Sequence, residues 1–215
     1  MSSPDLDALI VEHLADLDQV GARINAIEAE VFTAMGDRAK GWAERNGWRG
    51  NFEYSAEGGW DQWKLWIASP DWRTVDTIIE DDEFDIWLEL SVGNGDTDSR
   101  AIGEDWFHLT RLCQAGAGQI GFWLGHTSLV KPRKWKQILP EIRGMLSDPA
   151  FTIITIQNEA SFYLPFKIPQ HALAAALRDE DPDAALDPFE GAFETLLRAK
   201  PQFDRVLQYL RSLAE

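Results

Sequence analysis

Three features of this sequence predict an α+β fold. They are a long amphipathic run over about residues 4–46, two segments at 60–68 and 84–92 that alternate apolar and polar residues, and a C-terminus patterned as helix. Strands send successive side chains to opposite faces, whereas helices repeat every three to four residues, so the two periods separate the two classes. Helices precede, interrupt and follow the strands. The expectation is a central mostly antiparallel or mixed sheet of about five to six strands, with a long N-terminal helix and a helical C-terminus. Residues 1–180 are read as a single α+β domain that includes the helix at about 4–46, and 181–215 as a C-terminal helical segment packed on it.

Ser3, Pro4 and Asp5 read as N-cap, first helical position and first-turn acid. Apolar residues then recur at Leu6, Ile10, Leu14, Leu17, Val20, Ile24, Ile27, Val31 and Met35, the stripe of one amphipathic helix. Asn46-Gly47 is a left-handed stop, and Gly36 or Gly41 could kink the helix before it. Gly21 and His13 interrupt either heptad seam, which favours a helix laid across the sheet over a coiled coil. A homodimer formed through this helix stands as an alternative.

Residues 48–55 read as a short edge strand, Glu57-Gly58-Gly59 as a turn and 60–68 as a strand that Pro70 stops. Trp63, Leu65 and Ile67 share one face of that strand, and Gln62, Lys64 and Trp66 the other. In 84–92, Phe84, Ile86, Leu88, Leu90 and Val92 form an aliphatic face, opposite Asp85, Trp87, Glu89 and Ser91. Gly93-Asn94-Gly95-Asp96 is a turn or loop. A helix over 104–115 with Trp106, Leu109, Leu112 and Cys113 on one face, a strand over 119–124 and a helix from Pro132 to Met145, bent at Pro140, come next. Residues 151–157 and 162–168 read as a hairpin around Asn158-Glu159-Ala160-Ser161. A short helix begins at Pro169, 179–187 is an acidic linker, and two helices meeting at Pro201 finish the chain.

Thirty-six acids against twenty bases give a net charge of −16. That excess repels a phosphate backbone, so direct nucleic-acid binding is not expected, and it steers basic partners inward. Charge for solubility alone is the plainer reading. Cys113 is the single cysteine, which agrees with a reducing compartment. The N-terminus lacks the basic and apolar regions of a signal peptide, and no apolar run approaches the ~20 residues of a membrane span. The expected location is cytoplasmic. Seven of ten tryptophans fall between Trp42 and Trp87. Trp66 and Trp87, on polar strand faces, are candidates for a contact surface, together with the acidic run Glu80-Asp81-Asp82-Glu83.

Asp85 and Glu89 share a strand face, with Lys64 on the equivalent face of the neighbouring strand. Two carboxylates and a lysine could hold Mg²⁺ and orient a water for phosphodiester hydrolysis. The order of a long helix, then Lys64, Asp85-x-x-x-Glu89 and a helix resembles the restriction-endonuclease-like core of the PD-(D/E)XK superfamily over about a third of the chain. The resemblance implies a metal-dependent nuclease using Asp85, Glu89 and Lys64. That family carries a lysine two residues after its second acid, where this chain has Ser91. The plainer reading is a solvated sheet face with a cross-strand Lys–Glu pair.

Asn94, Asp96, Asp98 and Asp105 have the spacing of a Ca²⁺-binding EF-hand loop, but Ser99 stands where glycine is needed and a strand precedes. A polar turn feeding acids to a helix N-terminus accounts for them more simply. Gly116-x-Gly118-x-x-Gly121 fits the dinucleotide pattern with the elements reversed, a helix before and a strand after, and is rejected. The histidines show no zinc-ligand spacing.

The functional reading is a non-catalytic acidic binding protein that needs no cofactor. It would be an inhibitor, immunity protein, antitoxin-like neutraliser or adaptor that docks a basic protein partner through carboxylates and exposed tryptophans. The alternative is the nuclease-like enzyme. A concave pocket holding Asp85 and Glu89 near Lys64 favours the enzyme, and a flat face favours binding.

Overall fold

The proline expected at the first helical turn opens α1 (Pro4–Glu12), and α2 (Leu14–Asn46) continues it after a single irregular residue, His13. The computed structural model describes residues 4–54, 64–74, 84–94, 107–116, 118–127, 129–156 and 159–214. His13 N–H still reaches the carbonyls of Leu9 and Ile10 at 3.2 and 3.3 Å, and Leu17 N–H reaches the His13 carbonyl at 3.0 Å, so the helical hydrogen bonding runs on through it. It stops at Gly47, whose φ of 71° is the left-handed geometry glycine adopts freely. Gly36 does not kink it. A Cβ there would lie 2.3 Å from the carbonyl oxygen of Phe52, so this glycine lets the following backbone pass close to the helix.

Among the described residues six strands follow: β1 (Arg49–Asn51), β2 (Trp66–Ala68), β3 (Ile86–Asn94), β4 (Gly118–His126), β5 (Thr152–Ile156) and β6 (Glu159–Phe166). They form one sheet in the order β1-β2-β3-β4-β6-β5 with every neighbouring pair antiparallel. The remaining helices among the described residues are α3 (His108–Leu112), α4 (Pro132–Met145), α5 (Gln170–Arg178) and α6 (Asp187–Ala214). The α+β class, the antiparallel sheet and the helices at both ends are therefore as expected.

One local expectation changes. The C-terminal helices expected to meet at Pro201 are the single helix α6, because buried residues on both sides of the proline, Phe193 and Leu196 before it and Phe203 and Val206 after it, keep one face on the core. The acidic linker is tied to α2 although its acids are exposed. Its turn at Pro182–Ala185 is clamped by Arg38, which donates to both carboxylate oxygens of Asp183 at 2.9 and 2.7 Å and to Asp187 at 3.2 Å.

The core lies on one face of the sheet. Register stacks Ile67, Leu88 and Leu124 in one row, Leu90, Phe122 and Leu164 in the next, and Ile120 and Phe166 beyond, all buried. α6 covers these rows. Phe122 stacks on Phe189 with ring centroids 6.0 Å apart and lies 5.1 Å from Phe193. Phe193 in turn stacks on Trp42 of α2 at 4.9 Å. From Trp42 the aromatic contacts run on through Trp48 and Trp72 to Phe203. Trp42 and Trp72 each give their indole N–H to a carboxylate of α6, Glu194 at 3.0 Å and Asp204 at 2.7 Å, as buried indoles require. Three of the clustered tryptophans are thus core.

α2 is buried from Glu28 onward. Glu28 itself accepts the Leu109 N–H at 3.0 Å and so caps α3 from another helix. Burial raises its carboxyl pKa above the ordinary range, against the opposing pull of the Leu109 and His108 backbone and of Arg111. Towards its N-terminus α2 leaves the body. Leu6, Ile10, Leu14, Leu17 and Val20 are 53, 42, 54, 46 and 54% exposed. The helix expected to lie across the sheet does so only over its second half.

Candidate functional site

The second face of the sheet carries the polar residues of β3 and their neighbours. Register sets Glu89 of β3 between Trp66 of β2 and Trp123 of β4, and sets Trp87 beside Gly125. All three tryptophans are half-buried. Trp87 lies flat over Gly125, where a Cβ would fall 2.3 Å from the indole, so only glycine leaves room for the ring. The same indole donates its N–H to Glu89 Oε2 at 3.3 Å. Farther along, Tyr163 fills the space over Gly93 and Gly121, and its hydroxyl donates to the Ser91 and Gln119 carbonyls at 3.1 and 3.3 Å. Burial pushes the Tyr163 phenol far above its usual pKa, so it stays protonated.

Near the start of β3 this face opens into a cavity of about 950 Å³, at the large end of the range for small-molecule sites. Among the described residues its walls are Trp66, Trp87 and Phe84, with Lys64 and Glu89 as side chains of opposite charge and Thr74, Asp85 and Thr127 at its end. Lys64, Asp85, Glu89, Trp66 and Trp87 therefore come together in one concavity. The acids expected at Glu80, Asp81, Asp82 and Glu83 lie outside the described residues. So do Asp96, Asp98 and Asp105, and of Asn94 only the backbone, at the end of β3, is described.

Asp85 and Glu89 are placed very differently. The chain bends at Asp85, and the alternation expected through 84–92 is lost there. Phe84 turns to Trp66 on the polar face, with ring centroids 5.5 Å apart, in place of joining Ile86 and Leu88. Asp85 turns to α6, the helix that covers the aliphatic face. It is 2% exposed. Arg211 approaches its Oδ2 with Nε at 2.8 Å and Nη2 at 2.7 Å, and Thr74 donates to Oδ1 at 3.0 Å. Arg211 also donates to the Arg73 carbonyl at 2.6 Å. Both oxygens of Asp85 are thus occupied, in a contact that ties α6 to the edge of the sheet.

Among the described residues the hydrogen bond to Glu89 comes from the Trp87 indole, and Lys64 is exposed. Divalent cations want several oxygen donors with room to rearrange. One open carboxylate, an ammonium and a carboxylate held by an arginine do not fit that need. Among the described residues no three His, Cys, Asp or Glu side chains are grouped so as to hold a metal ion.

Trp123, Thr74 and Arg211 were not singled out from the sequence, and Phe84 was expected on the aliphatic face rather than in this cavity. Trp123 was findable, since it alternates with the buried Phe122 and Leu124. Arg211 was not, being 126 residues from its partner. Cys113 is buried and its thiol pKa is pushed up by that burial, the opposite of a reactive cysteine. No helix among the described residues is long and apolar enough to cross a membrane. Neither a protein-family model nor a curated protein nor a solved structure matches this chain.

Proposed function

We propose that the chain is a non-catalytic, acidic binding protein of the cytoplasm that receives a cationic side chain of a basic protein partner in the Trp66–Glu89–Trp87 cleft. As an inhibitor, immunity protein or adaptor it would act by occupying that partner. The observation that carries the reading is Glu89, an open carboxylate between two half-buried indoles on a chain of net charge −16. Aromatic faces attract a guanidinium or ammonium, and a carboxylate at the same point completes its neutralisation. The wider charge supplies long-range attraction. Lys64 at the rim disfavours a bare cation and favours a peptide that also offers a carbonyl or carboxylate.

Calorimetric titration with arginine-containing and glutamate-containing peptides tests this. The arginine peptide should bind more tightly, and its association rate should fall between ~0.1 and ~1 M salt as the Debye length shrinks from about 10 to about 3 Å. Glu89→Gln and Trp87→Ala should each weaken binding about tenfold. Equal affinity for both peptides, or indifference to salt and to Glu89→Gln, would overturn the reading.

One observation favours the metal-dependent nuclease as a second reading, namely that Asp85, Glu89 and Lys64 line the same cavity. It requires Asp85 to give up Arg211. Titration with Mg²⁺ or Mn²⁺ that yields neither binding heat nor cleavage of DNA or RNA would remove it.

A further inference from the structure

We propose that the N-terminal arm formed by α1 and the first half of α2 is an interface, and that its occupant is the same arm of a second copy of this chain, running antiparallel. The arm stands clear of the body, yet its apolar side chains fall on one seam. Leu6, His13, Val20 and Ile27 repeat every seven residues, and Ile10, Leu17, Ile24 and Val31 repeat every seven between them. That is an a/d heptad pattern with one polar member, His13, of the kind that fixes register in coiled coils. Gly21 lies beside this seam rather than in it. The seam is continuous with a buried one. Val31, Met35 and Ala39 carry the same stripe under the body, where it is fully covered, and the exposed stripe begins where the body ends.

The body dictates the direction. Each body covers the seam of its own helix from Glu28 on, so a parallel partner helix would run into it. Antiparallel arms keep the two bodies at opposite ends. With Leu6 opposite the partner's Ile24, Ile10 meets the partner's Val20 and His13 meets the partner's Leu17, so every a position faces a d position. The exposed Leu14 then lies next to the two-fold axis, against the partner's Leu14. Leu6, Leu9, Ile10, Leu14, Leu17 and Val20 are each 42–54% exposed. With the half-buried Ile24 and Ile27 they represent on the order of 600 Å² per chain, so a pair reaches the ~1,200 Å² at which specific interfaces begin.

Sedimentation velocity on the full chain across the micromolar range tests the inference. The expected result is a mass of two chains, reduced to one by Leu17→Glu while the near-UV spectrum and melting of the body stay unchanged. Oxidised Leu14→Cys should cross-link to itself. Leu6→Cys should not, because the two copies of residue 6 would lie about 27 Å apart along the arms. Cys113 is buried and does not interfere. A single-chain mass at all concentrations, a dimer indifferent to Leu17→Glu, or preferential cross-linking through Leu6→Cys would each overturn the proposal. So would a monomer that binds phospholipid vesicles through the arm.

Discussion

Asp85 and Glu89 lie four residues apart at one end of the same strand segment, both carboxylates, both on the wall of one cavity. Asp85 is sealed, with an arginine from the last turns of the chain and a threonine hydroxyl saturating its oxygens. Glu89 lies between indoles, and among the described residues its hydrogen bond is a long one from Trp87. The difference comes from the backbone. In the regular ladder of β3 a polar residue is delivered to the polar face whatever it is. At the bend the residue answers instead to whichever element packs nearest, and at Asp85 that element is α6. A carboxylate held like Asp85 works for the fold, and one left like Glu89 is available to something else.

Removing Asp85 should be the most disruptive change. Asp85→Ala leaves the Arg211 guanidinium partly buried and without its carboxylate, and chemical denaturation should show a loss of about 3–5 kcal/mol. A loss under ~1 kcal/mol would mean the pair is solvated and the contrast with Glu89 is only apparent. Leu88→Ala, one residue from Glu89 on the opposite face, should cost about 2–4 kcal/mol through lost transfer energy and a cavity against Ile67 and Leu124. Its measurement separates the two faces of β3 directly.

A third carboxylate sharpens the contrast. Glu28 is also buried, and its folded pKa is raised because desolvation outweighs its backbone partners. The folded state therefore holds this proton more tightly than the unfolded chain. Glu28 favours folding below its unfolded pKa, and that contribution is lost as pH rises through the folded value. Glu28→Gln, which can still accept the Leu109 N–H, should match the parent at low pH and exceed it by roughly 1 kcal/mol at neutral pH. A parent that gains on the variant as pH rises would show that the backbone bonds dominate. Glu89→Gln should change stability least, within about 0.5 kcal/mol, while changing binding.

Much of this was legible beforehand. The period-two pattern of Ile86 to Val92 located the central strand and its buried face, because a strand between two neighbours has no freedom to reassign its sides. The same rule failed at Phe84 and Asp85, since alternation predicts faces only while the backbone stays extended. Periodicity also identified the helix over 4–46 without revealing which part is covered. The stripe at Leu6 and Ile10 has the same spacing as that at Val31 and Met35, and exposure depends on where the body ends. Pro201 read as a boundary because the local cost of proline in a helix is real. The aromatic contacts of Phe193 and Phe203 on either side of it, contributed from distant parts of the chain, outweigh that cost.

The last strand of the sheet has a consequence for handling the protein. β5 is a terminal strand, and its sequence Thr-Ile-Ile-Thr-Ile is β-branched throughout and uncharged, with Ile153 37% exposed. Such an edge invites strand-to-strand growth between molecules, and natural edges normally carry a lysine or proline against it. Here the safeguard is collective. Sixteen net negative charges on each molecule oppose the approach of one β5 edge to another. The repulsion vanishes near the isoelectric point of about 4.6, so mild acid should turn a clear solution into one that scatters light, and added lysine within β5 should prevent it.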